Sequence, residues 1–231
     1  SQKPRQVIPE WLSLDNAAKI YPAARTKGWM PLFRVSMTLK DDVDKALMQQ
    51  ALETTLRRIP LFSYRLRRGL FWHFFERQGR VPMVEPDARN PMLPINLTAG
   101  HGFQFRLRVH RRRVALEVFH ALADGSGAFT FLSTLVAEYL FLRHGVRVPA
   151  APPVLDTREE PQPEEWEDSF AKYAREATRP RAERKAWNLR GTPGRSGLLR
   201  VITGVMDTAR LKDAARERGA TVNTLLCALL L

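Results

Sequence analysis

The chain has little cysteine and no long apolar run. Its single cysteine, Cys227, excludes an internal disulfide framework and fits a reducing compartment. No stretch reads as the ~20 consecutive apolar residues that a membrane-spanning helix needs. The opening residues, Ser1-Gln-Lys-Pro-Arg5, are polar and lead into an amphipathic stretch instead of the apolar segment of a secretory signal. These features read as a soluble, cytoplasmic protein with no membrane partner. Acidic residues are also scarce: 24 Asp and Glu against 37 Lys and Arg leave a formal charge of +13. Lysine is rarer still, 8 against 29 arginines, a skew that a GC-rich genome produces without selection for phosphate binding. The basic residues are scattered over the predicted elements, with no DNA- or RNA-binding motif to organise them. Nucleic acid is therefore not expected as a partner, whereas attraction for an anionic substrate such as a phosphorylated cofactor stands open.

With 231 residues and 44% hydrophobic content, the chain has enough to bury a core. Leu32 to Leu39 alternates apolar and polar, which predicts a half-buried strand. Asp41-Asp42 supply a helix start, and Val43, Ala46, Leu47, Ala51, Leu52 and Leu56 recur at helical spacing until Pro60. Strands follow at Phe62–Leu66 and Leu70–Glu76, and the aromatic run Phe71-Trp72-His73-Phe74-Phe75 reads as strand core instead of a base-stacking platform. After a proline-punctuated stretch over 82–94, Phe103–Val109 and Val114–Phe119 form an antiparallel hairpin through His110-Arg-Arg-Arg113. Ser126 to Leu142 is a helix with a stop at His144-Gly145. Residues 149–165, with five prolines and five acids, are a linker or surface crossover. A polar helical segment over about 166–189 and a loop at Gly191–Gly197 precede a strand at Leu198–Met206. A helix at Thr208–Arg218 stops at Gly219, and another starts at Thr221. The chain stops within the apolar run that ends at Leu231, which predicts a fragment: the first half of a larger protein plus the opening of its second.

One short string stands out: His120-Ala-Leu-Ala-Asp124-Gly125, where a strand stops and a helix begins. Chance produces such a string in about one chain of this composition in eighty, so it cannot stand alone. By the period of two, Val114, Leu116, Val118 and His120 share one face of the strand, and Ala115, Glu117 and Phe119 the other. His120 thus continues an apolar row and emerges at the strand end. Histidine changes charge nearest neutrality, so an imidazole there can take a proton from an alcohol, amine or thiol. Asp124 could cap the helix or accept a charged hydrogen bond from an arginine, and Gly125 and Gly127 allow a tight turn. The competing reading is a core histidine satisfied by a backbone carbonyl, with a turn aspartate beside it.

Other candidates carry less. Gly125-Ser126-Gly127 is neither a nucleophile elbow nor a dinucleotide loop, since Thr130 stands where a third glycine belongs; Ser126 reads as a helix cap. Cys227 reads as buried and inert. His73 reads as strand packing, His101 and His110 as turn residues, and His144 as a helix C-terminus residue. None has metal-ligand spacing, and no metal is expected.

The segment Phe119-His-Ala-Leu-Ala-Asp-Gly125, followed by the helix to Leu142, resembles the His-x-x-x-Asp-Gly segment of the coenzyme A-dependent acyltransferase superfamily. That superfamily takes in chloramphenicol acetyltransferase, BAHD acyltransferases, alcohol acetyltransferases and peptide condensation domains. Supporting stretches are Leu14-Asp-Asn-Ala-Ala-Lys-Ile-Tyr-Pro22, Leu56-Arg-Arg-Ile-Pro-Leu-Phe62, Glu165-Trp-Glu-Asp-Ser-Phe170 and Gly219-Ala-Thr-Val-Asn223. Bacterial alcohol acetyltransferase-like proteins are the nearest likeness. The resemblance implies an α/β (α+β) fold of two similar lobes, each a mixed sheet with flanking helices, with mainly the N-terminal lobe present. On that basis residues 1–148 are the N-terminal lobe, 149–196 the crossover and linker helix, and 197–231 the truncated opening of the C-terminal lobe. It further implies an O- or N-acyltransferase moving an acyl group, acetyl first, from acyl-CoA to an alcohol or amine. His120 would be the general base, Asp124 a structural brace paired with an arginine, and Gly125 part of the site's support. Coenzyme A enters as a thioester co-substrate, with no permanently bound cofactor and no covalent acyl-enzyme. The alternatives are a carrier-protein-dependent, condensation-type enzyme of secondary metabolism and a non-catalytic binding protein on the same fold. Condensation domains carry a second histidine before this one, and here that position is Phe119. The fragment alone is expected to be inactive and open to self-association through its exposed lobe face.

Overall fold

The computed structural model describes residues 8–26, 28–97, 102–167, 185, 191, 192, 194 and 198–230. The chain divides into two compact units, Ser1–Glu176 and Ala177–Leu231.

In the first unit the order is β1 (Trp11–Ser13), α1 (Ile20–Ala24), β2 (Leu32–Thr38), α2 (Lys45–Arg58), β3 (Tyr64–Arg68), β4 (His73–Arg77), β5 (Glu85–Pro86), β6 (Phe105–His110), β7 (Arg113–Phe119) and α3 (Gly125–His144). Two sheets result, one in the order β1-β4-β3 and one in the order β2-β7-β6-β5. The larger sheet is mixed: β2, β7 and β6 are antiparallel, while β5 runs parallel to β6. This is the mixed α/β architecture, with flanking helices, that the sequence predicts.

Cross-strand register explains where the main core sits. Val118 opposes both Phe33 and Phe105, and Leu116 opposes Val35 and Leu107. These rows face α2 and α3, whose Met48, Leu52, Leu56, Phe131, Leu132, Leu135 and Tyr139 complete one buried cluster. By length and composition α3 could cross a bilayer, but this packing explains its apolar character. A second cluster lies between the opposite end of β7 and the small sheet: Phe119 and Ala121 meet Tyr64, Leu66, Phe75, Leu14 and Met30. Phe119 and Ala121 thus belong to one core, while Val118 and Leu122 belong to the other.

Local signals were mostly sound, with shifts. Asp44, not Asp41 or Asp42, caps α2, accepting from the N–H groups of Ala46 at 2.8 Å and Leu47 at 3.0 Å; the cap needs an oxygen poised over the first turn. Pro60–Ser63 is a 3-10 turn, so β3 starts at Tyr64 and not at Phe62. Gly145 ends α3 in the left-handed conformation, with its N–H on the Phe141 carbonyl at 2.8 Å. The aromatic run is split by exposure: Phe75 is core, whereas Phe71 and Trp72 are exposed. They lie beyond the strand pairing, where the described residues leave them uncovered.

The proline-rich stretch 149–165 is tied to this unit. Arg58, buried at the end of α2, makes a two-pronged ion pair with Glu165 at 2.7 and 2.8 Å and donates to the Asp156 carbonyl at 3.0 Å. Thr157 donates to Glu138 at 2.6 Å. A bidentate arginine fork adds direction to the contact as well as strength.

In the second unit the described elements are α4 (Thr208–Glu217) and α5 (Val222–Leu230). Asp207 caps α4 through the Arg210 N–H at 2.8 Å. The strand predicted at Leu198–Met206 is not formed: its described residues are irregular and exposed, and no strand of the described residues pairs with it. A single alternating segment without a ladder partner has nothing to hold it extended. Cys227 is exposed, not buried, because the described residues of this unit place no core over that face of α5. The helical segment predicted over 166–189 lies largely outside the described residues.

Candidate functional site

β7 is the inner strand that positions the site. Its pairing with β2 places Leu32 opposite Phe119, so His120 falls opposite Pro31, and the His120 N–H donates to the Pro31 carbonyl at 2.9 Å. The chain then turns, with the Leu122 N–H on the Phe119 carbonyl at 2.9 Å. Ala121 and Leu122 plug into opposite cores, which pins the turn from both sides. The half-buried His120 side chain is left at its edge.

Two aromatic rings set the imidazole plane. Tyr21, from α1, stacks on it with ring centroids 4.3 Å apart and planes 14° apart. Phe33, two residues along β2 from Pro31 and on the same face, lies tilted at 4.9 Å. An imidazole packed against two rings is partly oriented before any substrate arrives, which favours general-base work. Neither Tyr21 nor Phe33 was singled out from the sequence. Phe33 could have been found from the β2–β7 register; the short helix bearing Tyr21 leaves no comparable signal.

Asp124 is the N-cap of α3. Its Oδ1 accepts from the Gly127 N–H at 2.7 Å, and its carbonyl accepts from the Ala128 N–H at 3.0 Å. The structure therefore realises the capping alternative. The arginine brace is not found: among the described residues Asp124 has no ion pair, and it is exposed, so a helix terminus, not a guanidinium, satisfies its charge. Ser126 consequently sits inside the first turn and is not the cap. Of the two glycines, only Gly127 is demanded by space, since a Cβ there would lie 3.3 Å from Asp124 Oδ1. A side chain at Gly125 would meet nothing within 4 Å, and its backbone is not in the left-handed region. The support expected from Gly125 thus comes from Gly127.

On the opposite face of the sheet, one residue back from Val118, Glu117 is fully buried. Arg34 and Arg106 stand directly across from it on β2 and β6 and reach it at 2.9 and 2.8 Å; Arg108 adds a contact at 3.4 Å. Arg34 also binds Asp87, at 2.6 Å, and Arg113 joins it at 2.8 Å. Burial alone would raise the Asp87 carboxyl, but the hydrogen bonds and charges of Arg34 and Arg113 outweigh it and hold it at about 2. Burial lowers the Arg106 guanidinium, and Glu117 only partly offsets it. This network stiffens the strand that ends in His120.

The remaining histidines are apart from this site: His73 opens β4, His110 ends β6 and His144 ends α3, while His101 lies outside the described residues. No group of three metal-ligating side chains occurs among the described residues. Two clefts among the described residues also lie elsewhere. One of about 630 Å³ is bordered by Arg57, Arg58, Arg77, Arg80 and Arg158, and one of about 150 Å³ by Glu138, Phe141 and Arg147.

No protein-family model and no curated protein matches the sequence. The fold, however, is shared with a solved structure. The X-domain from teicoplanin biosynthesis superposes with a TM-score of 0.50 at 17% identity, covering 64% of this chain and 36% of that one. The starter condensation domain of rhizomide synthetase gives 0.44 at 15% identity, covering 61% of this chain and 40% of its own. The first condensation domain of the calcium-dependent antibiotic synthetase, solved with a substrate analogue, gives 0.43 at 18%, covering 61% and 41%. The chain thus spans well under half the length of these neighbours.

Proposed function

We propose that this chain is the histidine-bearing lobe of an acyltransferase in which His120 takes the proton from an alcohol or amine acceptor as that acceptor attacks an acyl thioester. The observation that carries this reading is the His120 imidazole, packed against Tyr21 and Phe33 at the end of an inner strand, beside a capped helix. The acceptor's oxygen or nitrogen bonds to the acyl carbon, the carbon–sulfur bond breaks, and the proton held on the imidazole passes to the departing thiolate. No side chain need carry the acyl group, because the acceptor attacks the thioester directly. The clefts described above are lined by residues other than His120.

The thioester is presented by a carrier protein or by coenzyme A, which share the same chemistry. The carrier protein is the better supported donor, because the fold is shared with a domain of teicoplanin biosynthesis, whereas coenzyme A rests on the sequence motif alone. Turnover by the full-length protein with acyl-carrier and with acyl-CoA separates the two. His120→Ala is expected to lower the rate by ~10²–10⁴ while the far-ultraviolet circular dichroism is kept. Undiminished turnover in that variant would reject the assignment. Thioester binding without turnover in the parent would move the protein to a non-catalytic role.

A further inference from the structure

The hairpin joining β3 to β4 departs from ordinary turn chemistry. Its connecting residues are Gly69-Leu70-Phe71-Trp72. The Gly69 N–H donates to the Trp72 carbonyl at 2.7 Å, which closes the ladder and leaves Leu70 and Phe71 alone at the apex. A Cβ on residue 69 would stand 3.3 Å from that carbonyl, so glycine is the residue that fits. Hairpin apices favour Gly, Asn, Asp and Ser because they point into water. Here Leu70 is 88% exposed, Phe71 90% and Trp72 64%.

Cations surround this apolar tip. Arg67 and Arg68 end β3, and with Arg25, Pro22 and Leu97 they line a cleft of about 440 Å³ against the aromatic residues, with no carboxylate in its walls. Glu76 pairs with Arg65 at 2.6 Å and more loosely with Arg67 at 3.3 Å, one carboxylate against two guanidinium groups; among the described residues Arg25 and Arg68 form no ion pair. Partial burial and the charges of Arg68 and Arg25 also hold the His73 imidazole below its ordinary pKa, so the positive charge here is arginine charge.

We propose that this apex is a membrane-surface anchor: Leu70 and Phe71 enter the acyl-chain boundary, Trp72 lies at headgroup level, and Arg25, Arg67 and Arg68 meet the phosphates of anionic lipids. The apex is a narrow protrusion, which a bilayer accommodates by parting its headgroups, whereas a protein partner needs roughly 800 Å² of matching surface. Arginines set behind an apolar tip complement a negatively charged leaflet. The absence of a spanning run, from which no membrane partner was expected, does not bear on an anchor of this kind. The proposal is independent of His120.

The test is sedimentation of the full-length protein with phosphatidylcholine vesicles, with and without added phosphatidylglycerol. Leu70→Ser/Phe71→Ser leaves the net charge untouched and is expected to weaken binding to the anionic vesicles by tenfold or more (an order-of-magnitude figure). Ile202→Ser/Val205→Ser, altering two residues each 97% exposed outside the hairpin, is expected to bind as the parent does. Arg67→Glu/Arg68→Glu should abolish the preference for phosphatidylglycerol. As a readout that needs no apex truncation, Trp72→Phe should keep binding and lose part of the vesicle-induced blue shift of tryptophan emission. Equal vesicle binding by the parent and Leu70→Ser/Phe71→Ser would overturn the proposal. So would an absence of vesicle binding combined with an apex-dependent change in oligomeric mass, which would make the tip a protein contact.

Discussion

The two faces of β7 are both buried, and they are buried by opposite means. On one, Val114, Leu116 and Val118 pack with Phe105, Leu107, Phe33 and Val35 beneath α2 and α3. Exclusion of water from apolar surface holds that face, and it has no directional requirement. On the other, Glu117 lies in the middle of an Arg34–Glu117–Arg106 row that runs straight across three strands. Here the carboxylate tolerates burial only because its partners stand at matching ladder positions. The apolar face sets how tightly helices and sheet pack; the charged face sets which strand registers are allowed. A one-residue slip of β2 would bring Phe33 to Glu117 and take Arg34 away from both Glu117 and Asp87, leaving Glu117 to its β6 arginines alone.

Three measurements sharpen or break this contrast, in descending size. Glu117→Ala should cost about 3–5 kcal/mol in chemical denaturation, because it leaves three half-buried arginines facing one another without their shared carboxylate. A loss no larger than the ~0–1 kcal/mol of an exposed pair would show that the charged face is wet. The next effect is a pH dependence. Asp87 is held at about 2 in the folded protein, below the ordinary aspartate value of 3.8. Its stabilisation is therefore complete above about pH 4 and is lost as the pH falls towards 2, for a total of about 2 kcal/mol. Asp87→Asn should flatten that part of the stability–pH curve, and an unchanged slope would remove Asp87 as its source. The smallest effect belongs to the helix beside His120. Asp124→Ala should cost about 1 kcal/mol in thermal unfolding, whereas Asp124→Asn should recover most of it. A cap needs an acceptor and not a charge; failure of Asn to rescue would restore the arginine-brace reading.

Much of this was legible in the chain itself. Alternation marked β2 and β7, helical spacing marked α2 and α3, and Gly145 marked the end of α3, because each signal comes from neighbours in sequence. His120 was legible for the same reason, as the residue continuing an apolar row past a strand end. The hairpin apex was misread as core because composition does not reveal where a ladder closes. Leu198–Met206 was misread as a strand because alternation does not supply a partner.

The sequence by itself determined the succession of β2, α2, β3, β4, β6, β7 and α3 and the placing of His120 at a strand–helix junction; its family resemblance implied the α/β class, and β1, α1 and β5 left no signal in it. Tertiary structure decided what surrounds that histidine and what its neighbours do. Tyr21 and Phe33 reach it from residues about 100 and 87 positions away. Asp124 became a cap because its oxygen falls over the Gly127 N–H, and Glu117 became an interior charge because two other strands bring arginines alongside it. The physical reason is common to all three. Periodicity is a property of the local backbone, while burial, stacking and ion pairing depend on distances that exist only once the strands have chosen their register.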